Sequence, residues 1–302
     1  YENRKEMSLP YQNRELSRLA SFLLNHGKPL ADHYQKRDVD DRCRIALSFG
    51  GGIDSYCALM EGLKKKQKMT VVYTNYGHPY SKYERAVFTD LSVAWACLQS
   101  SEDYFATLSK AQQAVYLDMK LFLPVKDQLR FVVEEIPLMT TQDAAEIGWK
   151  NYIIPARNLA LAAVAAQYGD TIWIVATART DETVGAPDKT MKFYKLASLV
   201  FTDFYGRNVK VESPFLTRSK EAIVRDYVRR GGQLETLAQH TFSCYTPARN
   251  SDILSCGQCY ACYKKFQLFQ KLDWEVKFAV HPQTGPNFAE YQAREQAKRG
   301  EE

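Results

Sequence analysis

Apolar and polar residues alternate along the middle of the chain in blocks that predict strands followed by helices. Short runs rich in β-branched and aromatic residues predict strands, and longer stretches with apolar residues at helical spacing predict helices. The predicted strands are Arg44–Phe49, Thr70–Asn75, Tyr104–Leu108, Thr171–Thr177 and Val209–Glu212. The predicted helices are Ser55–Lys66, Lys82–Leu98, Asn158–Tyr168, Lys189–Tyr205, Thr217–Arg230 and Tyr260–Leu272. This alternation predicts an α/β fold with a doubly wound, mostly parallel sheet.

Three stretches do not follow the alternation. Residues 1–42 are polar with a helical stretch at Arg14–Leu24, so we expect an N-terminal helical arm. The second stretch is about 110–150, which we interpret as an insertion that covers the site. It interrupts the predicted α/β domain, residues 43–240. Residues 241–302 contain a cysteine-rich segment, a short helix and a polar tail.

Composition narrows the possible functions. The 302 residues carry a net charge of +5, which suits an anionic ligand such as ATP and does not require nucleic acid. The sequence has no uninterrupted apolar run long enough to span a bilayer, and its first residues lack the apolar core of a signal peptide. We therefore expect a cytoplasmic protein without a membrane partner.

Three consecutive glycines separate the first predicted strand from the first predicted helix. Glycines let the backbone bend and bring its N–H groups close to an anion, and the positive end of the following helix adds to the attraction. The loop lacks the Gly-Lys-Ser/Thr of a Walker A motif. A plain glycine turn is the alternative interpretation. The residues expected to bind phosphates are Ser48, Gly50, Gly51, Gly52, Asp54 and Ser55.

Four of the seven cysteines crowd into one short segment. They are Cys244, Cys256, Cys259 and Cys262, separated by eleven, two and two residues. In a cytosolic chain such clustering indicates a metal site, and four thiolates suit tetrahedral zinc. An iron–sulfur cluster or a redox cysteine pair is the alternative. Four protein ligands leave no open position, so we expect a structural metal.

Several motifs together resemble known families. The loop Gly50–Ser55 resembles the Ser-Gly-Gly-x-Asp-Ser loop of the N-type ATP pyrophosphatases. The cysteine spacing, preceded by Thr241-Phe-Ser-Cys-Tyr, is similar to that of the 7-cyano-7-deazaguanine synthase family. Further motifs of that family are matched in order, and the resemblance covers residues 44 to about 270. The matched positions are Pro155–Asn158, Asp181–Asp188, Ser213–Leu216 and Lys220.

The resemblance implies a sheet like that of the adenine nucleotide alpha hydrolases and an enzyme of queuosine biosynthesis that uses ATP, Mg²⁺ and structural Zn²⁺. Its substrate would be 7-carboxy-7-deazaguanine. The carboxylate would react with ammonia through an adenylate to give an amide, and the amide would then become a nitrile. Family members often pair, so we also expect a homodimer.

The resemblance also implies roles for individual residues. Asp54 would hold Mg²⁺, with a helix cap as the alternative, and Ser55 would contact pyrophosphate. Lys220 and Lys265 would neutralise phosphate charge, whereas for either one alone a solvated surface lysine is the favoured interpretation. The residues expected to bind the deazaguanine are Arg157, Asn158, Asp181 and Asp188, with an N-cap as the alternative for Asn158 and ordinary loop acids for the two aspartates.

Departures from the family pattern leave other functions open. Gly50 replaces a serine, Lys189 follows Asp188 where the family tends to have cysteine, and Lys265 replaces an arginine. The enzyme could stop at the amide, or transfer the activated deazaguanine to an amine on a protein or nucleotide. It could also thiolate tRNA, for which Cys57 is the cysteine near the loop. A zinc-dependent nucleic-acid-binding module is disfavoured by the modest charge.

Overall fold

The computed structural model describes residues 43–100, 104–122, 128–136, 138, 156–177, 187–245 and 255–300. The strands are β1 (Cys43–Ser48), β2 (Met69–Asn75), β3 (Leu129–Glu135), β4 (Gly169–Ile174) and β5 (Lys210–Glu212). The helices are α1 (Ile53–Lys64), α2 (Ser81–Gln99), α3 (Lys110–Phe122), α4 (Arg157–Ala165), α5 (Met191–Tyr205), α6 (Lys220–Arg229), α7 (Leu234–His240), α8 (Tyr260–Gln270) and α9 (Phe288–Gly300). Short 3₁₀ turns lie at Phe105–Thr107, Pro187–Lys189 and Pro282–Thr284.

The five described strands form one parallel sheet in the order β3-β2-β1-β4-β5. Ala46 and Leu47 in the central strand β1 are both fully buried and belong to two separate apolar clusters. Because neighbouring side chains in a strand point to opposite faces, the clusters lie on the two sides of the sheet. The prediction of a doubly wound parallel α/β fold is confirmed.

Two predictions about the stretch after α2 are wrong. The segment predicted as a strand at Tyr104–Leu108 forms the 3₁₀ turn at Phe105–Thr107. The expected insertion at about 110–150 contains α3 and β3, and β3 pairs with β2 from Leu129 to Glu135. These parts of the stretch therefore belong to the α/β core, and residues 139–155 lie outside the described ranges.

A buried carboxylate connects three helices on one face of the sheet. Asp118 of α3 accepts hydrogen bonds from the hydroxyls of Tyr56 in α1 and Tyr227 in α6, and from the backbone N–H of Gln233. Burial raises the pKa of Asp118 above its ordinary value, against the opposing effect of these hydrogen bonds. The polar contacts fix the positions of α1, α3 and α6 within an otherwise apolar layer.

The polar tail packs on the cysteine segment. The Val280 N–H donates to the Cys256 carbonyl at 3.2 Å, and the Tyr291 hydroxyl of α9 donates to the Gln258 carbonyl at 3.2 Å. Tyr291 also packs against Tyr263 of α8, with ring centroids 5.5 Å apart. The predicted N-terminal arm lies outside the described residues. Of the helices that the structure describes, none combines the length and apolar character needed to cross a bilayer.

Candidate active site

The candidate site lies at the carboxyl ends of the parallel strands. In the strand order, β2 is the neighbour of β1 on one side. β4, which comes later in the chain, is its neighbour on the other side, so the order reverses at β1. In sheets of this kind, ligands bind in the crevice where the strand order reverses. The glycine loop follows β1 directly, so it lies at this point.

The glycine loop adopts a conformation that favours glycine. Gly51 has a φ of +68°, and a Cβ placed there would lie 3.1 Å from the Cα of Glu84. The carbonyl of Gly51 accepts a hydrogen bond of 2.8 Å from the backbone N–H of Phe242. Gly52 is the N-cap of α1, so the N–H groups of the first helical turn lie next to the loop. This arrangement suits an anion.

Asp54 and Lys220 meet beside the loop. The Nζ of Lys220, the first residue of α6, lies 3.3 Å from the Oδ2 of Asp54. Asp54 lies in the first turn of α1 and not at its N-cap, so the helix-cap alternative is wrong. The Ser55 hydroxyl donates to the Gly52 carbonyl at 3.0 Å. Ser48, the last residue of β1, is half-buried between β2 and β4.

The predicted substrate residues lie partly within the described ranges. The Nδ2 of Asn158 donates to the backbone carbonyl of Asp188 at 3.4 Å. Because Ala156 is the N-cap of α4, the N-cap alternative for Asn158 is wrong. Burial raises the pKa of Tyr76, and the nearby charge of Arg157 opposes this rise. The Arg157 Nε is buried with no hydrogen-bond partner within the described part of the chain. Asp181 lies outside the described residues.

Polar and aromatic residues that follow β2 also lie in this region, among them Tyr76 and His78, whose sequence partly matches the family pattern. His78, only 2% exposed, stacks on Tyr76 at a centroid distance of 3.9 Å and bonds through Nε2 to Glu84 at 2.9 Å. Its Nδ1 is also buried without a hydrogen-bond partner among the described residues. These residues follow β2, the neighbour of β1. Sheet order was the signal that could have located them, because parallel neighbours end at the same edge.

The four clustered cysteines come together as predicted. Their sulfur atoms all lie within 4.8 Å of one another, and all four residues are buried. The Cys256–Cys262 and Cys244–Cys259 sulfur pairs are each 3.9 Å apart. Four sulfurs about 2.3 Å from one zinc ion would be about 3.8 Å apart in a tetrahedron. The geometry therefore fits a four-coordinate metal.

The electrostatics of the cluster also favour a cation. Hydrogen bonds with Cys256 and Cys259, together with burial, raise the pKa of the Cys244 thiol far above its ordinary value. Thiolates packed this closely repel one another, and a bound divalent cation would favour their ionised form.

Lys265 lies beside the cysteine cluster. It is buried, and its Nζ donates to the Thr241 carbonyl at 3.2 Å. Burial lowers the pKa of Lys265 to about 8, against the opposing effect of Cys262 and Cys244. This contact differs from the phosphate contact that the sequence predicted.

A parallel sheet with a glycine loop at its reversal point and a cysteine cluster beside that loop defines a PP-loop type of α/β protein. The family model described as "Queuosine biosynthesis protein QueC" matches residues 44–273. The chain belongs to this family. The predictions that the chain belongs to this family and that it is an enzyme are confirmed. The match also spans the stretch that had been interpreted as an insertion.

Curated relatives agree with the family match. The chain is 25% identical over 235 residues to the 7-cyano-7-deazaguanine synthase of Pyrococcus furiosus, covering 74% of this chain and 90% of that protein. It is 22% identical over 231 residues to the enzyme of the same name from Methanocaldococcus jannaschii, covering 72% and 91%. The 7-cyano-7-deazaguanine synthase 2 of Colwellia psychrerythraea is 21% identical over 247 residues, covering 78% and 99%.

Proposed function

We propose that the protein uses ATP to convert 7-carboxy-7-deazaguanine to an amide with ammonia and then to the nitrile, 7-cyano-7-deazaguanine. The observation that carries the proposal is the glycine loop at the sheet's reversal point in a chain whose family match spans residues 44–273. The name that these relatives share, 7-cyano-7-deazaguanine synthase, supports the nitrile as product.

The chemistry requires an activated carboxylate. A carboxylate oxygen of the substrate attacks the α-phosphorus of ATP, a mixed anhydride forms, and pyrophosphate leaves. Ammonia then attacks the acyl carbon, AMP leaves with the bonding electron pair, and loss of a proton from nitrogen gives the amide. The amide oxygen then attacks the α-phosphorus of a second ATP and releases pyrophosphate, and loss of AMP together with the protons on nitrogen leaves the nitrile. Such reactions depend chiefly on positioning and on neutralising phosphate charge.

The phosphate end of ATP has a suitable position beside α1. Backbone N–H groups of the glycine loop and the first turn of α1 would bind the pyrophosphate portion, with Ser48 and Ser55 close by. Lys220 would neutralise developing charge because its Nζ already lies beside the loop, 3.3 Å from Asp54. Asp54 would hold Mg²⁺, which supplies a positive charge to the phosphates when bound.

The substrate end is proposed to lie near Arg157. Its buried Nε is a donor that lacks an acceptor among the described residues, and buried donors are rarely left in that state. A carboxylate of the substrate would satisfy it. We assign Asp188 or Asp181 to the adjacent N1–H and 2-amino donors of the deazaguanine, because one carboxylate can accept from both. Asn158 would orient Asp188 through its backbone carbonyl.

Thiolation of tRNA is less consistent with this site. Cys57, the cysteine near the glycine loop, is buried, and burial followed by the charge of Asp54 raises the pKa of its thiol well above the ordinary value. A reactive cysteine needs a lowered pKa and access to its substrate. The four clustered cysteines would hold structural Zn²⁺, and such thiolate sites suit a reducing, cytoplasmic location.

We also propose a homodimer that pairs through α5. One face of this helix exposes large apolar side chains, and contiguous exposed apolar surface marks interaction sites. The residues are Leu196, Leu199, Val200 and Phe204. The occupant that fits best is a second copy, because two α5 helices crossing antiparallel at Leu199 would place Lys195 of each opposite Asp203 of the other.

Product analysis tests the proposed reaction. The protein is incubated with ATP, Mg²⁺, 7-carboxy-7-deazaguanine and ammonium, and the products are identified by mass spectrometry. We expect the nitrile with AMP and pyrophosphate. The amide alone would support an enzyme that stops early, and ATP cleavage without either product would indicate another acceptor amine. If ATP remains intact with the carboxylate present, the proposed function is wrong.

A further inference from the structure

A single peptide unit lies between the cysteine cluster and the glycine loop. The carbonyl of Thr241 accepts a hydrogen bond from the Nζ of Lys265 at 3.2 Å. The N–H of the next residue, Phe242, donates to the carbonyl of Gly51 at 2.8 Å. The two bonds use the opposite ends of the same peptide group, so the lysine and the glycine loop contact one rigid, planar unit.

The orientation of this peptide is fixed by its side chains. The Phe242 ring is buried and stacks on Tyr83, with centroids 5.3 Å apart and an angle of 9° between the rings. The Thr241 hydroxyl donates to the Leu237 carbonyl at 2.5 Å, which holds the other side of the peptide to α7. The peptide therefore has little freedom to turn away from Gly51.

Lys265 also connects the peptide to the metal ligands. It lies in α8 three residues after Cys262, so the two side chains share a face of the helix. Lys265 is 4% exposed, and a buried charge is costly unless it is paired and hydrogen-bonded. Its hydrogen-bond partner here is the Thr241 carbonyl, and its charge would also be favoured by the nearby Cys262 and Cys244 when they are ionised on a metal, so the lysine joins the cluster to the backbone.

We propose that Lys265 is a positioning residue. Through the Thr241–Phe242 peptide, it lets the folded cysteine segment stabilise the conformation of the glycine loop. Its charge polarises the Thr241–Phe242 peptide and strengthens the bond from the Phe242 N–H to the Gly51 carbonyl. Gly51 is thereby held in the conformation that turns the loop toward a phosphate. The inference rests on the proposed function only where it concerns nucleotide affinity.

Hydrogen exchange and nucleotide binding on the full chain test the proposal. In Lys265→Met we expect bound zinc to be retained, exchange at the Phe242 amide to become faster, and the Kd for ATP to rise about tenfold, because a charged hydrogen bond is lost. Lys265→Arg restores the charge and the donor, so it is expected to return both values close to wild type. Lys271→Met, an exposed change at the end of α8, serves as the matched control.

The possible results separate a failure of the positioning role of Lys265 from a failure of the proposed function. Unchanged Phe242 exchange and ATP affinity in a folded, zinc-loaded Lys265→Met would overturn the positioning role. A wild-type chain that binds no ATP would refute the proposed function. The exchange measurement would still test whether Lys265 stabilises the hydrogen bond of the Phe242 amide. If Lys265→Met does not fold, Lys265→Gln keeps a neutral donor and is expected to give an intermediate increase in exchange; wild-type exchange in that variant would overturn the inference.

Discussion

Gly51 occupies a backbone conformation and a space that together exclude a side chain. Its φ of +68° lies in the left-handed region, and a Cβ there would approach the backbone of Glu84 to 3.1 Å. Only glycine avoids both penalties. The loop can therefore pass close to α2 while its carbonyl remains available to Phe242, which connects loop conformation to the cysteine segment.

Replacing Gly51 by alanine tests this tight approach. The strain of a left-handed alanine and the contact with Glu84 are expected to cost about 1–3 kcal/mol, so the loop will shift and the Kd for ATP will rise at least tenfold. Isothermal titration calorimetry measures the affinity, and thermal unfolding checks that the protein remains folded.

Gly206→Ala is the matched control for this change. Gly206 has a similar φ of +60°, but a Cβ there would meet no atom of the described residues within 4 Å, and Gly206 is the C-cap of α5. It should lose a comparable amount of stability while keeping its ATP affinity. Equal loss of ATP affinity in the two variants would refute the role given to Gly51.

At the scale of elements, the sequence predicted most of the sheet, including the edge strand β5, but not β3 at the opposite edge. The central strands were recognisable because β1, β2 and β4 are short runs of buried apolar residues. In β3, Glu134 and Glu135 close a strand whose residues are mostly part-exposed, so the pattern resembled a loop. Edge strands lack a neighbour on one side, and polar residues are tolerated there.

Only part of the candidate site was predictable from the sequence, because some of its contacts join residues far apart in the chain. Consecutive glycines and closely spaced cysteines are local signals, and both are recognisable without the structure. The contacts of Glu84 and Phe242 with Gly51 join residues far apart in the chain, and they follow from strand order and helix packing. A single sequence without that order contains no sign of them.

Helices α1 and α6 are held together by a charged network that should make stability depend on pH. Arg230 bonds to both Glu61 of α1 and Asp226 of α6. Burial opposes the ionised form of Asp226, but the hydrogen bond from Arg229 and the charges of Arg230 and Arg218 prevail and lower its pKa below the ordinary 3.8. The ionised carboxylate therefore contributes stability above about pH 4, which is lost as the pH falls further.

Asp226→Asn should remove that contribution. We expect the variant to be about 1–3 kcal/mol less stable than wild type at pH 7, with a difference that shrinks as the pH falls below about 4. Urea unfolding at pH 7, 5, 4 and 3 provides the measurement. The exposed change Glu235→Gln should stay within about 0.5 kcal/mol of wild type. A constant difference for Asp226→Asn across this pH range would contradict the assignment.

At the scale of the whole molecule, α5 offers an apolar surface that the described residues leave exposed. Leu199 is 67% exposed at the centre of that surface. The helix begins directly after the 3₁₀ turn that contains Asp188, so pairing through α5 would bring the interface close to the proposed substrate residues.

Leu199→Glu tests the pairing. A charge at the crossing point would be buried without a partner, so we expect wild type to sediment as a dimer and the variant as a monomer at the same concentration. Leu121→Glu replaces a leucine that is 56% exposed in α3, and it should remain dimeric. A monomeric wild type, or a dimer that survives Leu199→Glu, would rule out this interface.

The most direct test of the account is a crystal structure of the protein with Mg²⁺ and α,β-methylene-ATP, whose α–β linkage resists cleavage. We predict phosphate oxygens about 3 Å from the backbone nitrogens of the glycine loop and the first turn of α1, with Lys220 facing them. A nucleotide bound elsewhere, or a loop that stays closed to it at saturating concentration, would contradict the central claim.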